Sequence, residues 1–98
     1  MNMPKLAVIA AIEIVPGRKD LVLSSLAAHR TRCLKDEPET LQFEVLDPHG
    51  DDTKVLLYEV YQDDAAFDTH RNGPSIGQFR EETAGMIKVS ITRCTPLE

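Results

Sequence analysis

The first strand of this chain is apolar on both of its faces. Residues 6–15 read LAVIAAIEIV, and both alternating sets are built from Leu, Val, Ile and Ala, with Glu13 as the exception. A strand of this kind needs cover on both sides of its sheet. The chain has 98 residues, which is the length of one domain. We therefore expect a single domain over residues 1–98.

An amphipathic helix follows this strand. Pro16-Gly17 ends the strand, and the stretch from Lys19 to Leu34 contains neither Pro nor Gly. Four residues at steps of four, three and four form one stripe of the helix: Val22, Leu26, His29 and Cys33. Glu37-Pro38 ends the helix, because the residue before a proline is pushed out of the helical region.

A β-hairpin comes next. Residues 41–46 (LQFEVL) and 54–61 (KVLLYEVY) alternate in polarity and flank a polar turn, DPHGDD. If the two strands pair symmetrically about that turn, Phe43 and Tyr58 share the more aromatic face and point toward the helices. Glu59 then lies on the opposite face.

Two short helices and a strand complete the chain. Asp63 or Asp64 caps the first helix, Asn72-Gly73-Pro74 breaks it, and a second helix follows from Ser75. Residues 89–94 (VSITRC) alternate again and form the last strand. This order predicts an α+β fold, the ferredoxin-like split β-α-β arrangement, with four antiparallel strands and the helices on one face.

The other face of this sheet would stay uncovered in a monomer. Apolar side chains from several strands would then meet water as a larger patch than soluble monomers usually expose. We therefore expect two sheets to face each other in a homodimer, with a total interface of at least about 2,000 Å².

Charge and composition exclude several kinds of partner. The net charge is −5, and no segment clusters basic with aromatic residues, so nucleic acid is not an expected partner. No apolar run approaches the ~20 residues that span a bilayer, so no membrane association is expected. Cys33 and Cys94 form neither a CxxC pair nor a disulfide framework, which is typical of reduced thiols in a cytoplasmic protein.

The spacing of potential ligands predicts neither a metal nor a nucleotide cofactor. The three histidines, His29, His49 and His70, form no HxH, HxxxH or HExxH pattern. The five glycines form neither GxGxxG nor a P-loop, and no GxSxG motif surrounds a serine. We therefore assign no metal and no cofactor.

A pocket between sheet and helices remains the candidate site. His29 and His70 lie on stripes directed at the sheet, where imidazole is a natural acid or base near neutral pH. Tyr58 is the third catalytic candidate. The candidates for substrate binding are Phe43, Phe67, Ser75, Phe79 and Arg80. Each also has a structural interpretation: the histidines as core residues, Tyr58 as a buried tyrosine with a satisfied hydroxyl, Ser75 as a helix cap and Arg80 as an exposed helix arginine.

These segments resemble the antibiotic biosynthesis monooxygenase domain family. The resemblance lies in Glu37-Pro38, LQFEVL at 41–46, LYEVY at 57–61, Asp63 with Ala66-Phe67, and His70 with Pro74. It implies a dimeric α+β barrel of ferredoxin-like protomers. Oxygenases of the family use no flavin, haem or metal and oxidise quinol-like or polyketide phenols with dioxygen. The positions that match its motifs are His70 and Tyr58, whereas His29 comes from the helical stripe alone.

Two departures from the family pattern leave alternatives open. Gly73-Pro74-Ser75-Ile76 stands where the family often has Thr-Pro-His-Phe, and the chain has no Trp, which disfavours haem degradation. One family subgroup instead isomerises a phosphorylated quorum-signal sugar. A dicarbonyl or sugar phosphate would need a cationic site, for which Arg32, Arg71 and Arg80 are the candidates. A third possibility is a non-enzymatic stress protein that binds a small metabolite in the same cavity.

Overall fold

The computed structural model describes residues 3–97. In chain order its elements are β1 (Leu6–Ile14), α1 (Lys19–Asp36), β2 (Thr40–Leu46), β3 (Lys54–Tyr61), α2 (Asp64–Arg71), α3 (Pro74–Glu82) and β4 (Ile87–Cys94). Within residues 3–97, none of the helices has both the length and the apolarity needed to cross a membrane.

The four strands form one antiparallel sheet in the order β2-β3-β1-β4. Because β1 and β3 are the central strands and the helices pack on one side, the predicted α+β, ferredoxin-like fold is confirmed. The cap of α2 is Asp63, whose side chain accepts a hydrogen bond from the backbone N–H of Ala66. Gly73, not Ser75, is the N-cap of α3.

The core lies between the sheet and α1. The four buried residues of α1 are the predicted stripe, Val22, Leu26, His29 and Cys33. They pack on the even-numbered side chains of β1, among them Ala10 and Ile12, and on Phe43 of β2. Two members of this stripe, His29 and Cys33, have ionisable side chains, so ionisable groups lie in the core beneath the helices.

The predicted register of the hairpin is wrong by one residue. Phe43 pairs with Glu59 and Glu44 with Tyr58, so Glu59 shares the helix side with Phe43 and Tyr58 lies on the opposite side. The reason is the number of residues between the paired positions: Leu46 pairs with Leu56, which leaves the nine residues 47–55 between them, whereas symmetric pairing about DPHGDD needs an even number. Within this loop the carboxylate of Asp51 accepts hydrogen bonds from both N and Oγ1 of Thr53. A slip of one residue exchanges the two faces of a strand.

The side of the sheet away from the helices has apolar side chains on its central strands. Ile9 is 41% exposed there and is the partner of both Tyr58 and Thr92 in the strand ladders. On the edge strand β2, Leu46 is 48% exposed and pairs with Leu56 on the same face. These side chains form surface that a second copy of the chain could cover.

Candidate active site

A cavity of about 410 Å³ opens between the sheet and the helices. Its walls are mainly apolar and include Val8, Ala10, Ile12, Leu26, Leu57, Phe67, Ile76, Phe79, Ile87, Val89 and Ile91. The polar groups on the cavity wall are His29, Glu59 and His70, with Arg71, Arg80 and Arg93 also lining it. An apolar pocket with a few convergent polar groups is the usual form of a small-molecule site.

His70 is fixed by a carboxylate that is itself held in place. Nδ1 of His70 lies 2.8 Å from Oε1 of Glu37, and Oγ1 of Thr40 donates to the same oxygen at 2.9 Å. Because a carboxylate only accepts, Nδ1 carries the hydrogen, and Nε2 of the neutral ring is the free acceptor. α2 supplies the imidazole, and the residue that follows α1 supplies the carboxylate.

A second carboxylate lies on the other side of the same imidazole. Oε1 of Glu59 is 4.0 Å from Nε2 of His70, and the side chain is 6% exposed. Burial raises the pKa of Glu59, because the charged form loses solvation. The hydroxyl of Tyr61 donates to Glu59, and burial together with that neighbouring carboxylate raises the pKa of the tyrosine. Tyr61 therefore stays protonated and acts as a fixed donor.

His29 belongs to a separate hydrogen-bonded chain. Nε of Arg32 donates to Oγ of Ser75 at 3.0 Å, and that hydroxyl lies 2.8 Å from Nδ1 of His29. The arginine can only donate, so the serine hydroxyl can donate to Nδ1, and the hydrogen of His29 is then on Nε2. Burial, with the nearby charges of His70 and Arg32, lowers the pKa of His29 to about 4. His29 is thus a neutral hydrogen-bond donor at working pH.

Cys33 lies between the two imidazoles. Its Sγ is 3.6 Å from both ring nitrogens of His29 and 3.7 Å from Nδ1 of His70. Burial raises the pKa of this thiol to about 12, so it is protonated and a poor nucleophile. One donor atom from each of His29, Cys33 and His70 lies within 4.8 Å of the other two, so the three side chains are close enough together to bind one metal ion.

The low pKa of His29 makes stability sensitive to acid. The unfolded chain binds a proton at this residue near pH 6.5, whereas the folded chain does so only near pH 4. The unfolded state therefore gains protons first, and folding stability falls as the pH drops through this interval. Between pH 7 and pH 5 we expect the free energy of unfolding to fall by about 2 kcal/mol more in the wild type than in His29→Gln. Urea denaturation at both pH values measures this difference, and equal pH dependence of the two proteins would contradict it.

Most of the predicted site residues do come together. His29, His70, Phe67, Phe79 and Arg80 all line the cavity. Phe43 is buried behind His29, with the two rings edge to face and their centroids 5.4 Å apart. Ser75 is buried at the start of α3 and does not line the cavity. It contacts His29 and Arg32, so it helps to hold the imidazole of His29 in position.

Tyr58 is the predicted site residue that the structure places elsewhere. It lies on the sheet face opposite the cavity because of the one-residue register difference in the hairpin. We therefore expect Tyr58→Phe to leave the turnover of a cavity-bound substrate within about twofold of the wild type, since surface substitutions away from special features change stability by only about 0.5 kcal/mol. Steady-state kinetics test this, and a loss of tenfold or more in kcat would place its hydroxyl in the reaction.

Sequence reasoning missed three groups of the site, Glu37, Glu59 and Cys33. Glu37 follows His29 and Cys33 at steps of four along the first helix, so it continues the stripe that identified His29. The same stripe contains the pair His29 and Cys33, which a search for paired histidines does not detect. Glu59 could be found only with the correct hairpin register.

The fold and this site define a small ferredoxin-like α+β protein with buried histidine and carboxylate side chains beside an apolar cavity. The model of the antibiotic biosynthesis monooxygenase family matches residues 5–82. The chain therefore belongs to the antibiotic biosynthesis monooxygenase family. No curated protein matches the chain.

Solved structures from several bacteria share the fold over nearly the whole chain. PA3566 from Pseudomonas aeruginosa is 23% identical with a TM-score of 0.90, covering 100% of this chain and 99% of its own. Rv0793 from Mycobacterium tuberculosis is 24% identical with a TM-score of 0.84, covering 96% of each chain. SO0527 from Shewanella oneidensis is 18% identical with a TM-score of 0.84, covering 97% of this chain and 93% of its own. At these identities the likeness concerns the fold alone.

Proposed function

We propose that the protein is a cofactor-independent monooxygenase that oxidises a small quinol, phenol or polyketide-like aromatic with dioxygen. The observation that carries the proposal is the position of His70. Its ring lies on the wall of an apolar cavity, with Glu37 hydrogen-bonded to one nitrogen and Glu59 4.0 Å from the other. Each ring nitrogen faces a carboxylate that can interact with the positive charge formed when the ring takes a proton, so this arrangement suits a general base.

The reaction then needs no electron carrier from the protein. His70 takes the phenolic proton at Nε2, and the electron-rich phenolate passes one electron to dioxygen. Recombination of the two radicals forms a C–O bond, and the peroxide takes the proton back from Nε2 of His70. Its O–O bond then breaks, the distal oxygen leaves as water with the hydrogen of the same ring carbon, and the second carbonyl of the quinone forms. The sum is phenol plus dioxygen to quinone plus water, with one oxygen atom of dioxygen in each product.

The remaining side chains position the substrate and protect it from water. The Phe67 and His70 rings are stacked, with centroids 6.2 Å apart, and Phe79 stacks on His29 at 5.2 Å, so both imidazoles lie against apolar surface. The Nε2–H of His29 is available to donate to an oxygen that gains negative charge. A dry cavity strengthens such an interaction, because water does not screen it.

Oxygen consumption tests the proposal. The purified protein, with no added cofactor, is mixed with a panel of hydroquinones and naphthols in an oxygen-electrode cell. We expect uptake of dioxygen with at least one of these compounds at a rate that saturates with its concentration. No uptake above the buffer rate across the panel would contradict the proposal.

The proposal includes a homodimer built on the open face of the sheet. Ile9 is 41% exposed beside Tyr58 on that face, and an interface of the standard dimer size would cover both. In Ile9→Asp two carboxylates would be buried across the two-fold axis, so we expect the dissociation constant of the dimer to rise at least about 100-fold. Sedimentation equilibrium measures this change. A monomeric wild type, or an unchanged dimer in the variant, would contradict it.

A second candidate function is supported by the cations on the cavity wall. Arg71, Arg80 and Arg93 all line the cavity, and a cationic rim suits a phosphorylated dicarbonyl or sugar. The same base would then move a proton between two carbons of the substrate, as a cofactor-free isomerase. Deuterium entering such a substrate from solvent without dioxygen separates this function from oxygenation. In its favour, Arg71 and Arg93 are held in place over the ring of Phe67 at 5.7 and 5.2 Å.

A further inference from the structure

Three side chains of kinds that bind metals lie close together beside the cavity. His29 and His70 are exposed by 2% and 4%, and Cys33 is fully buried. One donor atom from each lies within 4.8 Å of the other two. His29 and His70 line the cavity, whereas Cys33 does not, so an ion that enters from the cavity meets the two imidazoles first.

The distances around the sulfur suit a tetrahedral ion. With Zn–S near 2.3 Å and Zn–N near 2.0 to 2.1 Å, tetrahedral angles place a sulfur and a nitrogen ligand about 3.6 Å apart. The Sγ of Cys33 lies 3.6 Å from His29 and 3.7 Å from Nδ1 of His70. The pairing of thiolate and imidazole donors is typical of zinc rather than of magnesium or calcium.

The neighbouring groups can support a bound ion. When Nε2 of His29 is the ligand, its Nδ1–H can donate to the hydroxyl of Ser75 2.8 Å away, and this is the outer contact that metal-binding histidines usually make. Glu37 Oε1 lies 2.8 Å from Nδ1 of His70. An ion bound to that nitrogen therefore meets the carboxylate as a fourth donor.

We propose that His29, Cys33 and His70 bind Zn²⁺, with the carboxylate of Glu37 in the fourth position. The ion takes the place of one proton, that of the Cys33 thiol, while the ring hydrogen of His70 moves from Nδ1 to Nε2, so binding releases a proton and strengthens as the pH rises. With its hydrogen on Nε2, His70 cannot accept the phenolic proton there, so the bound ion stops the proton transfer proposed above. This inhibition rests on the proposed function, whereas the binding does not.

Cobalt substitution tests the binding directly, because Co²⁺ enters zinc sites and its bond to a thiolate gives a charge-transfer absorption band. We expect the full-length protein to give this band and the absorption of tetrahedral cobalt at one ion per chain, and Zn²⁺ to abolish both. In Cys33→Ser the thiolate band should be absent and the affinity for Zn²⁺ at least about 100-fold lower, since loss of even an outer contact costs 10- to 100-fold. His29→Gln should weaken binding similarly and keep the thiolate band at saturating Co²⁺.

Matched controls are available in the same chain. Cys94→Ser changes the other cysteine, on β4, and His49→Gln changes the histidine of the β2–β3 loop, and both should bind Co²⁺ as the wild type does. Wild-type protein without a thiolate band, or a band that is lost in Cys94→Ser instead, would overturn the site. The effect of the ion on the reaction is tested by measuring dioxygen uptake at increasing Zn²⁺ concentrations. We expect Zn²⁺ to inhibit the wild type, and to inhibit Cys33→Ser only at a concentration about 100-fold higher. An unchanged rate in protein with bound Zn²⁺ would overturn the inhibition but not the binding.

Discussion

Replacing His70 with glutamine should lower kcat for the oxidation of a phenol by about 10²- to 10⁴-fold, the usual contribution of a general base. Glutamine keeps a hydrogen-bonding group beside Glu37 and fills much of the volume of the imidazole, but it cannot take the phenolic proton. The loss should appear in kcat as well as in kcat/KM, because the interaction is made only as the proton moves. An oxygen electrode and stopped-flow absorbance measure the two parameters.

The matched control for this variant is His49→Gln. His49 is exposed in the loop between β2 and β3, so the same chemical change there should leave the rate as it is. Circular dichroism and the dimer mass of His70→Gln show whether the fold is retained. A folded His70→Gln protein with a rate within threefold of the wild type would exclude His70 as the base.

Glu59→Gln should give the second largest loss, about 10²-fold in kcat/KM. Two opposite unit charges 4 Å apart attract by about 4 kcal/mol at an effective dielectric of 20, and a 10²-fold loss corresponds to about 2.7 kcal/mol of that. Burial raises the pKa of Glu59, so its ionisation should appear as an ascending limb in the pH–rate profile. The variant should lack that limb, since glutamine does not titrate.

Glu13→Gln is the control for this experiment. Glu13 is an exposed strand glutamate on β1 that lies beside lysines in the ladder, and its removal should alter neither the rate nor the profile. If Glu59→Gln retained the ascending limb, another group would govern it, and Glu59 would have no part in proton transfer.

The architecture could be predicted from the sequence because it depends on local patterns. Val22, Leu26, His29 and Cys33 share a helical stripe that is independent of the rest of the chain, and the Pro and Gly positions end each element close to where the structure ends it. The same stripe predicts that His29 lies between α1 and the sheet, where the structure has it. His70 was predicted from the family resemblance, and it lines the same cavity.

The position of the Glu59 carboxylate could not be predicted, because the face that it occupies depends on the pairing register of the hairpin. Whether Tyr58 or Glu59 faces the helices depends on whether an odd or an even number of residues separates the paired positions of β2 and β3, and Leu46 pairs with Leu56 across an odd number. Alternation alone gives two sets of side chains but not the side of the sheet that each takes. Charged side chains usually lie on the surface, so the type of residue alone predicts that Glu59 lies on the open face of the sheet, which is the wrong one.

The measurement that tests the central claim most directly is the oxidation of a phenol under ¹⁸O₂ by protein stripped of metals, with the product analysed by mass spectrometry. Proton removal at the wall of the cavity, followed by reaction of the phenolate with dioxygen, predicts one ¹⁸O atom per quinone and a rate that depends on His70 and Glu59. A product that carries no label, or label that enters equally fast with His70→Gln and Glu59→Gln, would contradict the assignment of this cavity as an oxygenase site.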